Sequence, residues 1–388
     1  MNSTQKVVLA FLTVLAITLV GLVVYFSFKA YEYYMARPLG PALVLPAGSL
    51  IPLEATWTAS PSPNISPFPS TTLAPTFTAL PATPVNKVSC GGPEVMTLLV
   101  IGTDARGESY LYGLADVIRI VRLDFVTPKI SVLEFPRDLW VSIPEIADDI
   151  HQDHEKLNQA YLYGNPGFGY YDHPSAGPGL LALTLYQNFG VITDHYGAIN
   201  MRTFESMVDA VGGIDVTLED TIDGRAGKDR NPNLVFPAGT QHLNGERALM
   251  LARIRIEGTF ARADNQNLVL CALRKKLTRP DVVTKIPDLI GSFKDNVQTD
   301  LSLEQLSQLA CLGSRVRPEN ILLTSFPTEL FTPSNPRIYD PVFEKTVFTW
   351  DVDFGILRDY VSRFNQGTWP TKTAESIDAD EAPAYTCP

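Results

Sequence analysis

Between Val7 and Phe28 the sequence reads VVLAFLTVLAITLVGLVVYFSF, without a single charged residue. Wound as a helix, this stretch is about 33 Å long, enough to cross the hydrocarbon core of a bilayer. A secretory signal peptide has a shorter apolar core of roughly 7–15 residues followed by a small-x-small cleavage pattern, and neither description fits here. The sequence therefore predicts an uncleaved transmembrane signal-anchor over residues 7–28, with residues 1–6 as a short cytoplasmic N-terminus. Flanking charge does not set the orientation, because Lys6 on one side is matched by Lys29 and Arg37 on the other.

The segment beyond the apolar run points outward. Tyr31, Tyr33 and Tyr34 suit the headgroup belt, and Pro38 to Pro84 is rich in Pro, Thr, Ser and Ala with Glu54 as its only charge. Such a segment buries too little apolar surface to fold, so residues 29–94 are expected to form an extracytoplasmic linker that holds a domain off the cell membrane. Cys90, Cys271, Cys311 and Cys387 show no CxxC pair and no zinc-like spacing. An even number of cysteines beyond a membrane anchor fits two disulfides. Cys90 with Cys387 and Cys271 with Cys311 is the preferred pairing, since the first would tie the ends of the domain together. Four buried thiols in a reducing compartment are the alternative. The excess of 42 Asp and Glu over 31 Lys and Arg argues against nucleic acid as a partner, so any anion site must be local.

The folded body is expected over residues 95–366, followed by an acidic, mostly flexible tail over 367–388. Met96–Gly102 and Val117–Phe125 read as strands apolar on both faces, and Ile130–Phe135 as a third strand after a turn. Helices are expected over Leu180–Phe189, over Met201–Val211 with Asn200 as N-cap and Gly212 as stop, over Asn244–Ala252, and over Arg262–Leu277. On the last, Val269, Leu270, Leu273 and Leu277 would form the buried face. His195–Asn200, Ile214–Leu218 and Ile321–Ser325 read as further strands, with helices at Leu303–Leu312 and Asp353–Phe364. Two-sided apolar strands need helices above and below, so the fold class is α/β, a mixed central sheet between helical layers.

Three clusters at element ends carry chemistry. Asp104 follows the first strand and Asp116 precedes the second; two carboxylates at adjoining strand mouths suit a hard cation such as magnesium, although strand-end aspartates are commonly turn formers. Pro136 ends the third strand and presents Arg137 and Asp138, either as a functional pair or as a plain surface ion pair. Arg253 and Arg255 can point together in an extended segment, and Arg262 and Gln266 share a helix face in line with apolar residues. An arginine on such a face needs an anion or a carboxylate, for which Asp223, Glu246 or Glu257 are the bland candidates. Arginine forks match phosphate oxygens, so a metal beside several arginines suits a pyrophosphate. His151 and His154 lack a third ligand and read as solvated loop.

The ordered segments LLVIGTDAR, LAD, FPRD, EKLNQAYLYG, VDAVGGIDV, LNGERALMLARIR and ARADNQ are similar, one after another, to the LytR-CpsA-Psr family. The resemblance covers roughly Met96 to Leu277. It implies that Asp104 and Asp116 hold Mg2+, that Arg137, Arg253, Arg255 and Arg262 surround the pyrophosphate of a polyprenyl carrier, and that Gln266 lies in the same site. It further implies a membrane-anchored phosphotransferase moving a glycopolymer from polyprenyl pyrophosphate to a peptidoglycan hydroxyl, with Asp138 or Asp104 as candidate catalytic base. The chain departs from the family at Leu114 and Asn265, where arginines are common, and at Thr259, where an aspartate is. A polyprenyl pyrophosphate hydrolase and a non-catalytic lipid-phosphate scaffold or regulator are the rival readings. Leu180–Phe189 and Leu268–Leu277 either line a slot for the lipid or are ordinary core.

Overall fold

In the computed structural model, Val95–Thr103 (β1) alternates its burial so that Leu99 and Ile101 enter one apolar cluster while Met96 and Leu98 enter another. Ala115–Asp124 (β2) and Lys129–Glu134 (β3) behave the same way, Ile118, Ile120 and Leu133 facing one layer and Leu123 and Val132 the other. A strand apolar on both faces is stable only when both are covered. The structure describes residues 3–45, 50, 88–105, 110, 112–226, 229–255, 259–279, 282, 297–334, 337–371 and 385–387.

Four more strands complete the sheet: His195–Asn200 (β4), Val297–Thr299 (β5), Ile321–Ser325 (β6) and Tyr385–Thr386 (β7). The order is β5-β4-β1-β2-β3-β6-β7. β1 pairs with β4 and β3 with β6 in parallel, and the other neighbours are antiparallel, so the sheet is mixed as expected. Helices Leu157–Tyr163, Ala176–Phe189 and Phe354–Gln366 contribute to the first layer, and Leu303–Arg315 to the second. The apolar residues of 180–189 are core, with Leu180, Leu181 and Leu185 fully buried. Trp369 is buried in the same cluster, so packing continues past residue 366.

A third cluster lies beside the sheet, under a ribbon of Ile214–Leu218 and Gly239–Leu243. Helices Met201–Ala210, Gly245–Arg253 and Thr259–Leu277 cover it. Their starts are set by side chains: Asn200 accepts from the Thr203 amide at 2.8 Å and Asn244 from the Arg247 amide at 3.0 Å. Gly212, with φ of 78°, ends the first of them as the sequence predicts. The long helix 259–277 differs from its expected stripe. Leu270 is exposed, whereas Val269 and Ala272 face the third cluster and Cys271 the second. This helix is wedged between two neighbours and buries a wider face than one stripe.

The cysteines are oxidised, but not in the pairing that the sequence favours: Cys90 bonds Cys311 and Cys271 bonds Cys387. Each end of the domain finds a helix rather than the other end. The turn Ser89–Gly91 lies against Leu303–Arg315, where Gln308 donates to the Gly91 carbonyl at 3.0 Å. β7 adds to β6 at the sheet edge, and Cys271 and Cys387 meet within the second cluster. Most of the expected tail, residues 372–384, lies outside the described residues.

Ser3–Ala36 is one continuous helix containing the apolar run. The side chains at its start lie outside the described residues, and among the described residues no helix is long and apolar enough to cross a membrane. Residues 46–49 and 51–87 of the expected linker lie outside the described residues as well.

Candidate functional site

The site forms where β1 and β2 diverge. Their register slips between Gly102 and Thr103: Gly102 faces Val117 while Thr103 faces Ala115, leaving Asp116 as the extra residue of a bulge. A bulge re-aims the side chain it carries. Asp116 thus sits inside the second strand, not before it as the sequence suggested. Beyond the bulge, Asp104 donates its amide to the Leu114 carbonyl at 3.1 Å and accepts the Leu114 amide on Oδ1 at 2.6 Å. The approach depends on Gly113, where a Cβ would lie 2.2 Å from Thr103 Oγ1 and 2.6 Å from the Ala105 amide nitrogen.

Asp116 is the hub of an arginine cluster. Arg137 from the end of β3 bonds its Oδ1, and Arg255 Nη2 donates to its Oδ2 at 3.0 Å. Arg262, near the start of its helix, donates from Nη2 to the Asp116 carbonyl. Asp138 lies behind Arg137, 3.4 Å from its Nε, and accepts from Lys156 Nζ at 2.9 Å. Three arginines and Lys156 therefore face the carboxylates of Asp116 and Asp138, an excess of positive charge. The Arg262 side chain is only 5% exposed, and its Nε has no hydrogen-bond partner. Burial, reinforced by the neighbouring Arg255 and only partly opposed by Asp116, lowers its pKa to about 10. Arg255 is shifted down by burial and then by Arg137. Asp223 pairs with Arg225 instead of answering this cluster.

Beneath it runs a polar layer of which the sequence had singled out only Gln266, and that as part of the anion site. Arg119, buried within β2, donates to Asn267 at 2.8 Å, Glu134 at 2.5 Å and Gln266 at 3.2 Å. Gln266 also donates to the Ala252 carbonyl at 3.3 Å, so its amide ties the long helix to its neighbours. A charged residue inside the otherwise apolar run VIRIV was the available signal. Lys156 was visible only as part of EKLN, and Glu205 carried no signal.

Arg253 closes its helix instead of sharing an extended segment with Arg255. It forms a wall common to two clefts of about 380 Å³ each. The first is lined by Asp104, Ala105, Met201, Arg202, Glu205 and Leu249. The second, more apolar, is lined by Leu234, Met250, Ile254 and Arg255 among others. Burial raises the Glu205 pKa, followed by repulsion from Glu246 and Asp209, while Arg253 opposes the shift.

Among the described residues no group of three or more His, Cys, Asp or Glu is placed to hold a metal ion, and His154 simply pairs with Asp153. A magnesium ion of the kind that binds phosphates needs only one or two carboxylates, the phosphate oxygens and water completing its shell. Asp104 and Asp116 are the two carboxylates on either side of the bulge; Asp104 Oδ1 accepts the Leu114 amide and both Asp116 oxygens meet arginines, so an ion held there would share these oxygens with the groups already on them.

Together, the mixed sheet and its covering helices define an α/β domain with an arginine-rich cluster at one strand mouth. The family model described as the LytR_cpsA_psr family matches residues 75–346. The chain belongs to that family. It is 28% identical over 218 residues to a Bacillus cereus protein named polyisoprenyl-teichoic acid–peptidoglycan teichoic acid transferase TagU, covering 55% of this chain and 63% of TagU. To the regulatory protein MsrR of Staphylococcus aureus it is 28% identical over 211 residues, covering 53% of this chain and 56% of MsrR. The match thus spans less than two thirds of either relative. The fold is similar to that of Bacillus subtilis TagV, with TM-score 0.51, 24% identity and coverage of 70% and 96%. It is also similar to that of B. subtilis TagT, with TM-score 0.53, 20% identity and coverage of 73% and 95%.

Proposed function

We propose that this chain is a membrane-anchored phosphotransferase that moves a glycopolymer from a polyprenyl pyrophosphate carrier to a peptidoglycan hydroxyl. The observation that carries the reading is Arg262, a buried guanidinium with an unpartnered Nε inside a cluster whose positive charge exceeds its carboxylates. Such a charge is costly unless an anion answers it, and a pyrophosphate offers enough oxygens for Arg137, Arg253, Arg255 and Arg262 together. The name of the relative TagU supports the choice of a polyisoprenyl-linked polymer as donor and peptidoglycan as acceptor. The uncharged run over residues 7–28 and the two disulfides support an anchor with the domain outside the cytoplasm.

In the reaction, the acceptor oxygen forms a bond to the phosphorus nearest the polymer, and the bond from that phosphorus to the bridging oxygen breaks. The polyprenyl monophosphate leaves with the electron pair, and the hydroxyl proton passes to a carboxylate. Asp104, which opens on the first cleft beside Arg253, is assigned that proton on a carboxylate oxygen that the metal leaves free. Asp138 is held by both Lys156 and Arg137, so its role is to orient Arg137. The arginines stabilise charge on the equatorial and leaving oxygens. Asp104 and Asp116 would hold Mg2+, which supplies further charge neutralisation at the phosphates.

The test incubates the full chain in detergent with a labelled polyprenyl-pyrophosphate glycan, with and without peptidoglycan fragments, in magnesium or in EDTA. Transfer that requires both acceptor and magnesium supports the reading. Carrier cleavage without acceptor would replace it with a hydrolase, and tight binding without turnover with a scaffold.

A further inference from the structure

Only Arg37 separates the end of the helix at Ala36 from a strap of chain seated on the domain. Pro38 makes a β-bridge with Ser302, and the Leu39 amide donates to the Leu301 carbonyl at 3.1 Å. Gly40 passes so close that a Cβ would lie 2.6 Å from the Thr299 carbonyl oxygen and 3.5 Å from the Tyr196 hydroxyl. Leu43 and Leu45 then pack against the main core while Val44 between them is 59% exposed, the alternation of an extended segment.

The surface below is firm. Thr299 Oγ1 donates to the Tyr196 carbonyl at 2.6 Å, and the Asp300 carboxylate accepts the Tyr196 amide at 2.9 Å and meets His195 Nδ1 at 3.2 Å. Gln305 closes the corner against His195 Nε2 at 2.7 Å. The sequence expected the Pro-rich stretch from Pro38 onward to stand the domain off the bilayer; its first eight residues instead lie along the domain.

We propose that Pro38–Leu45 is a docking strap that seats the corner formed by Thr299–Ser302 and the first turn of Leu303–Arg315 on the lipid headgroup layer. The proposal rests on the membrane-anchor part of the functional reading and is independent of the chemistry. The helix continues from Lys29 to Ala36, about 12 Å, against a headgroup layer of roughly 5–8 Å per leaflet, so the strap begins only a few ångströms beyond the headgroups with no slack between. The corner lies at the start of β4, whereas Asp104 lies past the far end of β1. Leu98–Thr103 pairs with His195–Asn200 in parallel, so the reacting groups stand about 20 Å along the strands from the anchored corner. The strap therefore sets where the site stands relative to the bilayer.

The test uses the full chain in lipid nanodiscs. Hydrogen–deuterium exchange reads residues 37–45, and a nitroxide at Glu304→Cys, an exposed position two residues after Ser302, reads relaxation by a nickel chelate on the lipid headgroups. The wild type should show a protected Leu39 amide and strong relaxation of the label. Gly40→Val places its side chain against backbone, so both signals should be lost, while Val44→Ala should keep both. If Gly40→Val fails to fold, the double variant Leu43→Ser, Leu45→Ser makes the same test. Exchange at 37–45 in the wild type as fast as in an unstructured peptide of the same sequence, or retention of both signals in the strap variants, would overturn the proposal. So would a chain that does not enter nanodiscs. No readout involves polymer transfer, so the strap and the chemistry fail separately.

Discussion

Replacing Arg262 by methionine separates a binding arginine from a structural one. The side chain is 5% exposed, and its pKa falls from 12.5 to about 10, chiefly through burial and then through Arg255. At ~1.4 kcal/mol per pH unit, keeping that charge opposes the fold by roughly 3 kcal/mol. Its bond to the Asp116 carbonyl offsets about 1–2 kcal/mol, so an apolar side chain of similar length should leave stability unchanged or raise it by up to ~2 kcal/mol. Urea unfolding of the oxidised protein measures this as a midpoint that holds or moves upward. Binding should respond in the opposite direction. A lost charged hydrogen bond costs ~1.5–3 kcal/mol, so affinity for a short prenyl pyrophosphate should fall about 10- to 150-fold by calorimetry. If Arg262→Met instead unfolds the protein by more than ~3 kcal/mol with unchanged affinity, the arginine is a structural ion-pair member and the anion-site reasoning is refuted.

Glu155 is fully buried beside Asp340, and burial followed by repulsion from Asp340 raises its pKa to about 7 from 4.5. The folded state then holds this proton more tightly than the unfolded one, so its stabilising effect is complete below pH 4.5 and is lost as pH rises through 7. Melting temperature measured from pH 5.5 to 8 should show that loss, and Glu155→Gln should flatten it and stabilise the protein at pH 8 by ~1–3 kcal/mol; an unchanged profile would remove Glu155 as the cause. Alkylation without reductant should label no cysteine, and peptide mapping should find Cys90 with Cys311 and Cys271 with Cys387. Removing the Cys271–Cys387 bond by double alanine substitution should cost ~2–5 kcal/mol in chemical unfolding. Asp138→Asn should lower transfer by weakening the hold on Arg137, with carrier binding less affected than in Arg262→Met; equal losses of affinity would place Asp138 on the ligand itself.

Elements governed by local chemistry were legible in the sequence. The strands 95–103, 115–124 and 129–134 follow from apolar runs, and the helix at 201–210 from Asn200 and Gly212. The arginines at 137, 255 and 262 were legible one by one as anion candidates with ordinary ion pairs as the alternative, and as a set only through the family resemblance; the structure brings them together on Asp116. The hidden features depend on tertiary registration. The bulge that puts Asp116 inside a strand is a mismatch between two strands, not a property of either. The disulfide partners follow from which helix covers each end of the domain, and the buried role of Arg119 from the meeting of β2 with residues 266 and 267. Leu270 fell outside its expected face because two neighbours, not one, flank its helix.

Transfer and hydrolysis differ in the fate of one phosphorus atom. A polyprenyl pyrophosphate glycan labelled at the phosphorus nearest the sugar is incubated with the full chain, magnesium and peptidoglycan fragments, using wild type and Asp104→Asn. The proposed reaction puts the label into the peptidoglycan as a phosphodiester with wild type, at a rate at least about tenfold lower with a folded Asp104→Asn protein, as loss of a general base implies. Label recovered in a glycan monophosphate, or transfer at equal rates by both proteins, would contradict it.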